Sequence, residues 1–109
     1  MADPAVDAIW FARGGYGSNR IAEAAVADLP DAARDKAYVG YSDSGFLHAA
    51  LDKAGMHAVW GPMPQDLMRE GGTAAVERAL DWLVRRDPAA LEPALDGPAM
   101  AFNLTVLSS

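Results

Sequence analysis

The stretch "KAYVGYSDSGFLHAAL", Lys36 to Leu51, decides how this chain folds. Ala37 to Tyr41 is a short apolar run that reads as a buried strand. From about Asp43 to Ala54 the apolar residues Phe46, Leu47, Ala50 and Leu51 recur at helical spacing, and Gly55 stands where a C-terminal cap belongs. A strand therefore runs into a helix with little more than Gly-Tyr-Ser-Asp-Ser between them.

The same alternation extends in both directions. Upstream, "DAIWFA" (Asp7 to Ala12) reads as a strand ended by the glycine-rich "RGGYGSN". "SNRIAEAAVADL", from Ser18 or Asn19 to Leu29, follows as a helix with Ile21, Ala25, Val26 and Leu29 on one side and Pro30 closing it. Downstream, "HAVWG" (His57 to Gly61) is a third strand, and Pro62 and Pro64 force a loop. Thr73 is expected to cap a helix to Arg86 whose inward face is Ala75, Val76, Ala79, Leu80 and Leu83. A polar link from Arg86 to Pro98 leads into "AMAFNLTVL" (Ala99 to Leu107), expected to be a strand and the start of another element. Short apolar runs alternating with amphipathic stretches predict an α/β domain, a parallel sheet with flanking helices in three layers. Three or four strands and about three helices are few for a sheet buried on both faces.

Composition narrows the function classes. The chain has 109 residues, one domain at most, and nine basic against fifteen acidic residues give a net charge of -6. Its basic residues are scattered, which argues against nucleic acid as a partner. There is no cysteine, hence neither a disulfide framework nor a thiolate zinc site. No apolar run reaches the roughly 18 to 20 residues of a membrane span, and the first residues lack the basic start of a secretory signal. The sequence calls for no metal and no cofactor.

A serine hydroxyl becomes a useful nucleophile when the fold presents it to a base and an oxyanion site together. A tight strand-to-helix turn does this, and it crowds the backbone two residues to either side of the nucleophile, where small residues are needed. Gly40 and Ser44 flank Ser42 in that way. Ser42 is thus a candidate nucleophile and the Asp43 backbone N–H a candidate oxyanion donor. The competing reading of the same letters is an ordinary helix N-cap at Ser42 or Asp43.

"RGGYGSNRI", then "VGYSD" about twenty residues later, then "WGPM", together resemble the LD-carboxypeptidase family of serine peptidases, the muramoyl-tetrapeptide carboxypeptidases, whose relatives include microcin-immunity peptidases. The resemblance extends to "AFNLTVLSS", which is similar to the family's "GGNL..L" segment with Ala101 and Phe102 in place of two glycines. It implies that Ser42 is the nucleophile, with the N–H of Asp43 and of Gly15, or alternatively Gly14, as oxyanion donors. The reaction it implies is removal of the terminal D-alanine from a murein tetrapeptide, in cytoplasmic cell-wall recycling, by a Ser-His-Glu triad. The Glu and His come from a second, C-terminal domain, so residues 1–109 correspond to the central part of the N-terminal nucleophile domain, and that missing domain is the expected partner; a homodimer stays open.

Neither histidine sits in the family's catalytic context. His48 lies six residues beyond Ser42 on the same helix, about 9 Å along its axis, and is expected on a helix face pointing away from the strand ends. His57 starts a strand at its exposed end. An isolated chain of this kind is expected to be inactive, since loss of the base typically removes on the order of a million-fold in turnover. Two alternatives remain: a non-catalytic peptide-binding domain, or a peptidase of the microcin-immunity type.

Arg13, Tyr16, Trp60 and Met63 are candidate substrate contacts, because open sheets place ligands at the carboxyl ends of their strands. "RGGYGSNR" lacks the Lys-Ser/Thr pair and spacing of a nucleotide-binding loop. Asp31, Asp35, Asp66, Glu70 and Glu77 have no metal-ligand spacing and are expected on solvated faces. Trp82 is read as core or covered edge.

Overall fold

Parallel pairing puts the most continuous apolar strand in the middle. In the computed structural model, which describes residues 1–97 and 99–108, β2 (Ala37–Gly40) is buried at every residue, while β1 (Ala8–Trp10) and β3 (Ala58–Trp60) flank it half-buried. The sheet order is β1-β2-β3, all parallel, with Ile9 opposite Tyr38 and Tyr38 opposite Ala58. Pro98, at the end of the expected polar link, and Ser109 lie outside the described residues.

Both crossovers step the same way along the sheet, so right-handed connections carry both helices to the same face. There α1 (Ala22–Ala27) packs on α2 (Gly45–Lys53). Tyr38, Val26, Leu51, Met56 and Ala33 form the core beneath them, with Ile9 and Ala58 packed against it from the flanking strands. The Tyr38 hydroxyl donates to the Ala33 carbonyl at 2.9 Å, which satisfies the one polar atom this buried ring brings with it. Alternation sends Val39 and Trp10 to the opposite face. There the chain after β3 returns along the sheet: the Trp10 indole donates to the Pro62 carbonyl at 2.7 Å and Met63 is 1% exposed.

Several boundaries differ from the sequence reading. The first helix begins as a 3-10 turn, Ser18–Arg20, and Ile21 at the junction is exposed; three residues per turn rotate it out of the stripe that 3.6 would have kept inward. The second opens likewise as a 3-10 turn, Ser42–Ser44. α3 (Gly72–Leu80) starts behind Gly71 in the left-handed region, φ 72°, and Thr73 forms no cap. Its packing is set by Gly72, where a Cβ would collide with the Asp66 carbonyl. α3 rests mainly on the 3-10 turn Pro64–Met68 rather than on the sheet, so Val76 is buried but Leu80 is exposed and Ala75 faces outward. A π-helical turn, Asp81–Arg85, follows, and Arg86 ends it with φ 54° and its guanidinium 4.5 Å from the Trp82 ring centroid. Trp82 is therefore half-covered by a cation and not a core residue. No strand forms in 99–107 among the described residues; α4 (Leu104–Leu107) is a single turn. Phe102 and Val106 instead lie against Gly45, where a Cβ would come within 3.2 Å of the Phe102 ring.

Candidate active site

At the carboxyl end of β2 the chain enters α2 through Ser42, whose φ is 60°. A serine rarely adopts this left-handed conformation, and holding it there costs about 1 to 3 kcal/mol unless surrounding contacts impose it. The neighbours that impose it are small. A Cβ on Gly40 would stand 2.8 Å from both Phe11 Cδ2 and Ser44 Oγ, so residue 40 must be glycine for the turn to close. Ser44 donates its hydroxyl to the Tyr41 carbonyl at 2.8 Å and fastens the turn from inside. Neither Ser42 nor Asp43 caps the helix with its side chain; the ordinary N-cap reading is not what the letters encode.

The glycine loop is brought to this turn by a second set of contacts. The Asp43 carboxylate accepts the Ser18 N–H at 3.1 Å, and the Ser18 hydroxyl donates to the Asp43 carbonyl. With "RGGYGS" anchored at its far end, Gly14 lies against the serine: a Cβ there would stand 3.1 Å from Ser42 Oγ and 3.2 Å from Ser42 Cβ. Gly15 has nothing within 4 Å of the corresponding position. Of the two glycines, residue 14 is thus the one in close approach to the serine, where a Cβ would crowd its side chain. The Ser42 hydroxyl has no hydrogen-bond partner among the described residues.

The other candidate contacts spread around the strand ends. Arg13 is exposed; Tyr16 is exposed and accepts a hydrogen bond from Arg20 at 3.3 Å. Trp60 is half-buried between Tyr41 (centroids 5.9 Å) and Phe102 (6.2 Å). The Met63 side chain is in the interior and not on an open wall.

His48 is buried rather than displayed on an outer helix face, its ring 5.7 Å from that of Phe11. Its Nε2 has no hydrogen-bond partner among the described residues, and burial pushes its pKa down to about 4, so it is neutral at physiological pH. It lines a small hollow of about 60 Å³ with Asp52, Trp60 and Phe102, and Ser42 is not part of that lining. His57 is exposed, as expected for the start of β3.

The residue that sequence reading missed is Asp66, expected on a solvated face and in fact 7% exposed. Its carboxylate accepts the Met63 N–H (2.8 Å) and the Tyr41 hydroxyl (2.8 Å), and Arg69 Nε lies 3.1 Å away. Burial by itself raises this carboxyl; the Met63 N–H, the Tyr41 hydroxyl and the Arg69 guanidinium together outweigh it and hold the pKa below the ordinary value. Burial, then the bond to Asp66, raises Tyr41. A signal was present: Pro64 followed two residues later by an acid is the pattern of a helical first turn whose carboxylate bonds back to the preceding backbone N–H.

Residues 1–61 match the family model of the LD-carboxypeptidase N-terminal domain. A Streptomyces coelicolor protein, provisionally named a carboxypeptidase, is 45% identical over 62 residues, 56% of this chain and 20% of that protein. The chain thus spans about a fifth of the length of the relative it matches. The matched region ends just past β3 and contains both the glycine loop and the Ser42 turn.

Proposed function

This chain belongs to the LD-carboxypeptidase family, and from that premise we propose that it is the nucleophile-bearing part of a serine peptidase that removes the terminal D-alanine from murein tetrapeptide. Ser42 Oγ attacks the carbonyl of the bond to that residue. The amine of D-alanine leaves with a proton, and water then releases the acyl group from the serine. The oxyanion is received by the N–H of Asp43 and the N–H of Gly14, which the close approach at residue 14 favours over Gly15. Arg13, Tyr16 and Trp60 border the strand ends as substrate contacts, and the general base and its orienting carboxylate come from a second domain.

The observation that carries this reading is the left-handed φ of Ser42 beside Gly14. A glycine would relieve the strain, so the position is occupied by serine for its hydroxyl. The test is D-alanine release from murein tetrapeptide by a longer protein that joins this segment to a domain supplying Glu and His. Ser42→Ala should lower turnover on the order of a million-fold, and equal rates would sink the assignment. The 109-residue chain by itself should release none. Cleavage of a microcin-like conjugate in place of murein peptide would move the substrate and keep the chemistry; binding without turnover in the longer protein would favour the non-catalytic reading.

A further inference from the structure

The loop after β3 holds a charged group that the nucleophile reading leaves without a task. Asp66 joins two segments: it accepts the Met63 N–H of its own loop and the hydroxyl of Tyr41, one residue before Ser42, and it pairs with Arg69 at the end of the same loop. The neighbouring Gln65 N–H donates to the Ala12 carbonyl at 3.1 Å, two residues before Gly14. One loop is thereby tied to both halves of the Ser42 site, and a buried carboxylate in it fixes an arginine.

Arg69 is held on one side only. Its side chain is 67% exposed, with its guanidinium carbon 5.8 Å from the Tyr41 ring centroid and Nε 3.1 Å from the Asp66 carboxylate. The same guanidinium hydrogen-bonds Tyr41, so it is turned towards Asp66 and Tyr41. Arginine carries five N–H donors, more than these contacts use, in the flat fork that grips a carboxylate through two parallel bonds. Arg13 makes no hydrogen bond or ion pair among the described residues, and Arg20 rests on exposed Tyr16. Of the three, Arg69 alone is oriented in advance by a buried group, and a donor fixed beforehand loses less freedom on binding.

We propose that Arg69 receives the terminal carboxylate of the peptide cut at Ser42, and that Asp66 is the positioning residue that presents it. This rests on the serine-peptidase reading, because an enzyme that removes only the last residue must recognise the free carboxylate beside the scissile bond. An amidated chain end offers no charge for the fork and is discriminated against.

The test uses the 109-residue chain and two probes, acetyl-L-lysyl-D-alanine and its C-terminal carboxamide, followed by NMR at the Arg69 Nε–H and the Gly14 and Ser42 amides. The carboxylate probe should shift all three and bind at least about tenfold more tightly than the carboxamide. Arg69→Gln should erase that preference, Arg69→Lys should restore part of it, and Asp66→Asn should weaken it several-fold while the Arg69 Nε–H resonance broadens. Equal affinity for the two probes overturns the proposal, as does a preference that survives Arg69→Gln or that Arg13→Gln removes instead. The readout is binding, so its failure is separate from that of the Ser42→Ala turnover test.

Discussion

Residues up to Val76 and residues beyond it follow the same pattern of apolar periodicity, yet only the first part builds an interior. Tyr38, Leu51, Val39 and Met63 are nearly sealed from solvent, and among the described residues none beyond Val76 is buried. Leu80 is 42% exposed on a helix whose stripe reads as amphipathic as that of α2, and Val84, in the π-helical turn beyond it, is 77% exposed. The difference is what each stripe meets. α2 follows a strand and is returned by its crossover to the sheet face; α3 follows a proline-containing loop and lands on that loop. Periodicity states that a face is apolar, not that a partner is in reach.

The sharpest way to break this contrast is to truncate one residue on each side. Leu51→Ala should lower stability by about 2 to 5 kcal/mol, whereas Leu80→Ala should stay within about 0.5 kcal/mol. Denaturant melts of the two, read against the parent chain, decide it; equal losses would mean that α3 is covered in solution.

Acid probes the same interior through His48. Its folded pKa, about 4, lies below the ordinary 6.5, so the unfolded chain takes the proton first. The stability this contributes is complete above about pH 6.5, falls as pH drops towards 4 and levels off below. Between pH 7 and pH 5 the loss should be about 2 kcal/mol, and His48→Leu should flatten it. A melt unchanged between those pH values would place His48 in solvent. Asp66, held below its ordinary value, contributes stability that is complete above the ordinary carboxylate pKa and is lost as pH falls from there through its own lower folded value.

Within the buried part, the Ser42 turn stands apart because it stores strain. Ser42→Gly should raise stability by about 1 kcal/mol by removing the left-handed penalty, at the expense of the hydroxyl. A destabilised Ser42→Gly would show that the serine side chain supports the fold. The smallest effect is expected at Val84→Lys, an exposed site, with a change within about 0.5 kcal/mol.

How much was legible follows the range of the interactions. Strand and helix order, the parallel sheet and the peculiarity of Gly40-Tyr41-Ser42-Asp43-Ser44 depend on neighbours in the chain, and could be read from periodicity and residue size. The contact of Gly14 with Ser42 could be narrowed to two glycines and no further, since the Ser18 to Asp43 bonds that choose between them span 25 residues. His48 and Asp66 were misplaced for the same reason: a titratable side chain is read as exposed unless its partners are known, and theirs are Phe11, Tyr41 and the Met63 backbone. The sequence by itself determined that a serine would stand on a tight turn between a strand and a helix. Only the tertiary structure decided which glycine closes on it and which arginine pairs with the buried Asp66 against Tyr41, because those choices are made by contacts between segments that periodicity cannot align.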